Sequence, residues 1–311
     1  MIGMKNTVSL FLLIVLSTTC FAQEIDFSWW NNKANWDGIS RWQNYLTISP
    51  AFMGPNALPV PQVKQGTMPE SSFKLAYDVH TGAENTQNVF TELHVPLFSE
   101  RVGLNFQLVP FEYYSMDTII RDLRLARERD GEGTSVGDLY IGTYIQLIKD
   151  HRYLPDVLLT INLRTASGNN LGATRYTDSP GYFFDMSFGK NIKFGNEAFI
   201  KSIRPYAMGG LYVYQTNRTD YPQNDCFLYG FGTDVSFNKL VLIQSFSGYS
   251  GYINNGDSPF IYRAGLRTKF KRKVNYEFRF QKGINDFPYI SYRIGCIFKL
   301  DSFTKPWLSK G

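Results

Sequence analysis

Lys273-Val274-Asn275-Tyr276-Glu277-Phe278-Arg279-Phe280-Gln281 is the stretch on which the fold class turns. In an extended chain Val274, Tyr276, Phe278 and Phe280 share one face, and Asn275, Glu277, Arg279 and Gln281 share the other. The same period of two recurs along most of the sequence. Its apolar face is aromatic and continuous from one segment to the next rather than gathered into a compact core, as expected of a sheet with lipid on one side and water on the other.

Working outward, twelve such segments are read at 72–81, 88–97, 101–113, 137–148, 156–165, 182–192, 203–215, 225–237, 239–249, 259–270, 273–282 and 289–300. Each is near the ~9–11 residues that cross a bilayer at a tilt. The fold class is therefore all-β: a transmembrane antiparallel barrel of about twelve strands, within a range of ten to fourteen, with 45–53 as a candidate extra strand. Placing the start of the first strand in the periplasm makes 98–100, 149–155, 238 and 271–272 short periplasmic turns. The long connections 115–136, 166–181 and 216–224 then fall outside, as bacterial barrels arrange them.

Charge fixes which face is which. An Arg or Lys at the bilayer midplane costs ~2–4 kcal/mol, and Arg164, Arg263, Arg267, Lys269, Arg279 and Arg293 all lie opposite their strands' apolar residues. Exposing several to lipid at once costs on the order of 10 kcal/mol. Charges go inward, and Tyr262, Leu266, Phe278, Tyr292 and Phe298 face lipid. Strands 203–215 and 239–249 alternate too poorly for a face assignment.

Lys5, the apolar run 10–16 and the small residue Ala22 read as a secretory leader over 1–22, with Cys20 as the lipid anchor in the alternative reading. Segment 23–70 follows as a periplasmic or lumen-plugging piece, 71–300 as the barrel and 301–311 as a periplasmic tail. Segment 23–70 carries Trp29, Trp30, Trp36 and Trp42 and the rigid run Gly54-Pro55-Asn56-Ala57-Leu58-Pro59-Val60-Pro61. Part of it is expected to enter the lumen from the periplasm, a flap or extra strand being the plainer alternative. Inward glycines such as Gly189 and Gly230 weaken strands unless something approaches their backbone.

The 311 residues are 16% aromatic and 19% charged, with a net charge of +5 that falls to +4 without Lys5. So weak and dispersed a basic excess excludes a nucleic-acid partner. No apolar run reaches the ~18–20 residues of a spanning helix. Cys226 and Cys296 fall on opposite faces, against a disulfide, and no zinc-type spacing occurs, so neither metal nor cofactor is expected.

The candidate lumen-lining residues are Asp78, His80, Glu92, His94, Asp138, Arg164, Asp185, Asp234, Arg263, Arg267, Glu277, Arg279 and Arg293. Basic ones concentrate on the last three strands and acidic ones earlier, which sets up either a transverse field or lumen-filling ion pairs. Asp78, His80, Glu92 and His94 carry the chemistry of a general base, yet no serine is apparent beside either histidine, so no catalytic residue is assigned. In the connection after the third strand, Met116–Arg129 reads as a short helix capped by Ser115 or Asp117 and ended by Gly131. Its Arg121, Arg124 and Arg127 constrict the mouth if folded inward and meet lipopolysaccharide if folded outward, the plainer reading being a solvated surface helix with no special role.

Two stretches carry resemblances. Gly137-Asp138-Leu139-Tyr140-Ile141-Gly142-Thr143, with Leu154-Pro155-Asp156-Val157-Leu158-Leu159 and Arg164-Thr165-Ala166-Ser167-Gly168, resembles the outer-membrane phenol-degradation meta-pathway transporter family. The Gly54 to Pro61 run and Gln223-Asn224-Asp225 resemble uncharacterised outer-membrane barrels of Bacteroidetes-type bacteria. The first resemblance implies passage of hydrophobic or aromatic compounds. The reading is thus a multi-pass barrel of the bacterial outer membrane that passes small solutes, of undetermined oligomeric state, with lipid and lipopolysaccharide around it. A lipid-modifying enzyme and a closed surface-interaction barrel are the alternatives.

Overall fold

The computed structural model describes residues 26–97, 101–195 and 197–301. The leader, its cleavage after Ala22, the Cys20 alternative and the tail beyond residue 301 lie outside the described residues.

The chain forms β1 Ser72–Gly82, β2 Asn85–Pro96, β3 Val102–Ser115, β4 Glu132–Ser135, β5 Tyr140–Ile148, β6 Asp156–Arg164 and β7 Gly181–Gly189, then β8 Ile192–Lys193, β9 Ser202–Gln215, β10 Gln223–Ser236, β11 Leu240–Ser250, β12 Phe260–Thr268, β13 Val274–Asn285 and β14 Tyr289–Lys299. The short β4 and β8 only extend the edges of β3 and β9. The other twelve pair antiparallel around a ring that β1–β14 and β9–β10 complete, a twelve-stranded closed barrel without free edges. Neighbours in the ring are mostly joined by hairpins, so sequence order and spatial order coincide.

Segment 45–53 is not a strand. Trp42–Tyr45 is a 3-10 turn, and Phe52 and Met53 both donate their backbone N–H to Ser49 O at 3.1 Å. Pro50 at that turn has no N–H to give to a ladder. Strand 182–192 stops at Gly189, and its last residues fold back as β8.

The base of the barrel, where β1 begins and β14 ends, carries connections such as 149–155, 237–239 and 269–273. The opposite end, the crown, carries the longer 116–139 and 165–180 along with the tight turns 83–84 and 286–288. On β13 Tyr276 and Phe278 point outward at 54% and 45% exposure, while Asn275 and Gln281 are buried inside. Cys226 is buried on the inner side, Cys296 lies on the outer side, and both are free.

β9 is unreadable by periodicity for a physical reason. Its inward residues Tyr206, Met208, Tyr212 and Tyr214 are as apolar as its outward ones, because they form one cluster with Leu46, Ile48, Met53, Ala57, Leu58, Val60 and Val63 of the amino-terminal segment. A lumen wall covered by protein rather than water takes apolar side chains on both faces.

Candidate functional site

Residues 54–70 form a strap along the length of the lumen that opens on a turn, where Ala57 N donates to Gly54 O at 3.1 Å, and continues without regular secondary structure. At ~3.3 Å per residue the part after the turn is long enough for the ~30 Å hydrocarbon layer. Prolines 55, 59, 61 and 69 remove N–H donors and keep the strap from joining the sheet. What remains is largely acceptors, and the barrel supplies the donors. From crown to base, Arg164 Nη1 donates to Ala57 O (2.8 Å), Tyr249 Oη to Leu58 O (3.2 Å), Arg263 Nη2 to Val60 O (2.5 Å) and Arg204 Nη2 to Gln65 O (2.8 Å). Gln146 both donates to Gly66 O (2.8 Å) and accepts from Met68 N (2.6 Å). The strap's few donors meet acids: Asn56 reaches Glu112 at 2.6 Å, Lys64 reaches Asp185 at 3.5 Å, and Gln65 bonds Asp234. Inward glycines make room for it. A Cβ on Gly230 would lie 2.6 Å from Val63 Cγ2, and one on Gly189 would collide with Gln65 O.

Residues 26–53 cover the crown. The helix Ser28–Ala34 has Asn35 in the left-handed conformation just after it and buries Trp30, whose Nε1 donates to Leu125 O at 2.6 Å. Arg127 lies over the rings of Phe27 (3.8 Å), Trp30 and Trp42 (5.2 Å each) and Trp36 (5.8 Å), and Arg121 over Trp29 (4.7 Å). Cation–π contacts of this kind are worth about 0.5–2 kcal/mol each. The described part, residues 26–70, thus runs from the crown down the lumen to the base, where β1 begins.

The basic loop also differs from its reading. The helix runs Thr118–Leu123, capped by Asp117 Oδ1 accepting from Ile120 N at 2.8 Å, and it stops before Leu125, whose φ is +52°, rather than at Gly131. Arg121 and Arg127 lie over the rings of the aromatic cap at the crown. Arg124 alone turns inward, to Glu84 at 2.5 Å and Tyr289 Oη at 2.6 Å. It joins a buried ionic roof that the sequence did not reveal. There Arg175 bonds Glu84, Glu112 (2.8 Å) and Thr86 (3.2 Å), and Tyr176 Oη donates to Glu112 at 3.0 Å. Burial pushes the Glu84 carboxyl up, but Arg175 and Arg124 outweigh it and hold the group below its ordinary value. Arginines in a polar loop give no sign of this pairing, because their partners lie some 40 to 90 positions away.

The remaining candidates lie on inward faces, apart from Asp138 in the connection before β5. Burial raises the Asp138 carboxyl, against Arg164 at 3.9 Å, and it accepts from Gly168 N at 2.7 Å. Arg293 grips Asp78 through two bonds of 2.5 and 2.6 Å and covers the Phe90 ring at 3.8 Å. Lys74 bridges Glu92 (3.2 Å) and Glu277 (3.3 Å). Asp185 accepts from Thr160, and Asp234 from Tyr206 Oη at 2.9 Å.

His80 and His94 do not share a site. Thr86 pairs with His80 and Ser72 with His94, which sets them eight residues apart along β2, about 27 Å. His94 packs on Tyr144 with neither ring nitrogen bonded. His80 does meet a serine that the sequence reading missed: Ser291 Oγ is 2.7 Å from Nδ1, with Asn88 Oδ1 2.9 Å from Nε2. Only the β1–β14 register, 211 positions apart, brings them together. The trio lies within the paired strands β14, β1 and β2 and reads as a polar network. Among the described residues no group of three His, Cys, Asp or Glu side chains is placed for a metal ion.

Beside the strap runs a cavity of about 820 Å³. Lys74, Glu92, Arg263, Arg267, Arg279 and Arg293 line one part of it, and Asp150, Asp156 and Lys269 line its base end.

No family model matches the chain, and no curated protein does. Solved structures do match. An outer membrane channel from Pseudomonas putida F1 aligns with a TM-score of 0.54 at 12% identity, over 77% of this chain and 99% of that one. The NanC porin aligns at 0.48 and 10% identity, over 73% and 100%, and the KdgM porin at 0.45 and 9%, over 73% and 99%. At these identities the likeness concerns the fold alone, which is that of outer-membrane barrels. Neither resemblance read from the sequence is carried by these matches.

Proposed function

We propose that the protein is an outer-membrane channel for a small polar solute, with its crown outside, its base in the periplasm and its own strap as the closing element. The observation that carries this reading is the way the strap is held. Among the described residues no backbone bond joins 55–70 to a barrel strand, so side chains alone fix it beside an 820 Å³ cavity lined by both charged and apolar side chains. Such a segment shifts without breaking the twelve-stranded ring, whereas a strand does not. The charged wall of Lys74, Glu92, Arg267, Arg279 and Arg293 supports a polar solute, while Phe90, Phe183 and Phe287 in the same lining leave room for the hydrophobic or aromatic part that the first family resemblance implies.

The outward aromatic side chains meet acyl chains, and the crown meets lipopolysaccharide. Conductance in planar bilayers and swelling of liposomes, for the whole chain and for one lacking residues 23–67, test the reading. Sparse current in the first and large steady current in the second are expected. Absence of current and swelling in both rejects a channel and leaves a closed surface barrel.

A further inference from the structure

We infer that Arg267 and Arg279 form a binding site for the carboxylate or phosphate group of a small anionic solute that arrives from the base.

The inference starts from an imbalance among the charges on the inner wall. Each acid near these two arginines already has donors: Asp78 has Arg293, Glu277 and Glu92 share Lys74, and Asp234 has Tyr206 and Gln65. Arg263, although buried, is satisfied by Gln281, by Ser247 and by the strap carbonyls of Val60 and Pro61. Arg267 and Arg279 have neither. Among the described residues no carboxylate lies within 4 Å of them, and both open onto the cavity. Glu277 stands opposite Arg267, and Asp78 and Glu92 lie near Arg279, but these three acids are outnumbered by Lys74, Arg263, Arg267, Arg279 and Arg293, and the surplus positive charge on this wall favours a bound anion.

Register places them for one ligand. Arg279 pairs with Gly265 on β12 and with Arg293 on β14, while Arg267 pairs with Glu277. Arg267 and Arg279 are therefore diagonal neighbours, roughly 7–8 Å apart at Cα, a separation that two forked side chains close around a single oxyanion. Arg279 directly opposite Arg293 is a like-charge pair that destabilises a sheet unless something negative lies between. Gly265 keeps the adjoining space open, since a Cβ there would be no closer than 3.5 Å to any atom. Lys269 at the base end of the same cavity extends the positive track toward the mouth.

The inference rests on the channel reading only in calling the ligand a solute, and the two fail separately. Calorimetry on the full chain in detergent, with citrate, inorganic phosphate and glucose as probes, reads the site without requiring an open pore. Citrate and phosphate should bind, compete with one another and leave glucose without effect. R267Q/R279Q should weaken citrate at least tenfold, R279K, which keeps the charge but loses the fork, should fall between wild type and the double variant, and R218Q, in an exposed pair with Asp220, should match wild type. Unchanged heat-modifiable mobility confirms that each variant is folded. Citrate and phosphate heats no larger than those of glucose overturn the site, as does wild-type affinity in a folded R267Q/R279Q protein. The competition arm needs no variant, so misfolding of the double variant does not shield the proposal. Citrate binding without bilayer current overturns the channel and keeps the site; current without citrate binding does the reverse.

Discussion

Replacing Arg175 with methionine strands a carboxylate under the crown. In the folded chain this guanidinium is fully buried and joins Glu84 to Glu112, with a further bond to Thr86. Methionine keeps the apolar stem and removes the charge, so the change reports on electrostatics more than on a cavity. Glu84 retains Arg124 at 2.5 Å, but Glu112 is left with the neutral donors of Asn56 and Tyr176. Removing one partner of a buried pair costs about 3–5 kcal/mol, against a total stability on the order of 5–15 kcal/mol. E112Q alone should cost less, about 1–3 kcal/mol, because Arg175 keeps Glu84. The double variant R175M/E112Q should then be more stable than the sum of the singles by about 0.5–3 kcal/mol, since no charge is stranded in it. Gly54 lies against this guanidinium, where a Cβ would come within 2.5 Å of Cζ, so R175M should also loosen the strap and lengthen channel openings. Urea unfolding in lipid vesicles, followed by tryptophan fluorescence, gives the energies, and single-channel recording gives the openings. Additivity of the two substitutions within about 0.5 kcal/mol, or wild-type stability in R175M, would refute the ionic roof.

Acidification should act on the same roof. The folded pKa of Glu84 is depressed, so its stabilisation is complete above the unfolded carboxylate value of about 4.3 and is lost as pH falls through the folded value. Openings should therefore multiply below roughly pH 4, and E84Q should flatten that dependence; a profile unaltered by E84Q counts against it. Leu58→Asp places a carboxylate in the buried aromatic cluster that receives the strap, at a cost of several kcal/mol, and should raise conductance while the barrel's heat-modifiable band persists. Conductance equal to wild type would mean that the strap does not close the lumen. Ile39→Cys, at a crown position 93% exposed, should react with a membrane-impermeant maleimide on intact cells, and Tyr153→Cys, 77% exposed at the base, only after the outer membrane is breached. The opposite order inverts the barrel. Spin labels at Tyr276 and Phe278 should be relaxed by oxygen rather than by a water-soluble nickel complex, and an aqueous response there would contradict lipid contact.

Much of the barrel is written locally. Alternation in Lys273 to Gln281 and its counterparts sets strand positions to within a few residues, and the cost of charge in hydrocarbon assigns the faces of β13 and β14 without any tertiary information. The even count follows from the same local signals. Where the signals fail, as in β9, the cause is a covering segment distant in sequence. The Gly-Pro-rich run 54–61 announced rigidity, but a strap without periodicity carries no mark of its path.

What the sequence alone determined is a closed sheet with aromatic residues outward and charges inward, because a period of two and the solvation of charge are properties of neighbouring residues. What only the tertiary structure decided is which inward charges meet: Arg175 with Glu84 and Glu112, His80 with Ser291, the strap carbonyls with Arg164 and Arg263, and, among the described residues, Arg267 and Arg279 with no carboxylate within 4 Å. These partners are brought together by ring closure and by the chain's passage through its own lumen. The inward face offers every charge several partners at similar local cost, and only the register of the closed ring selects among them.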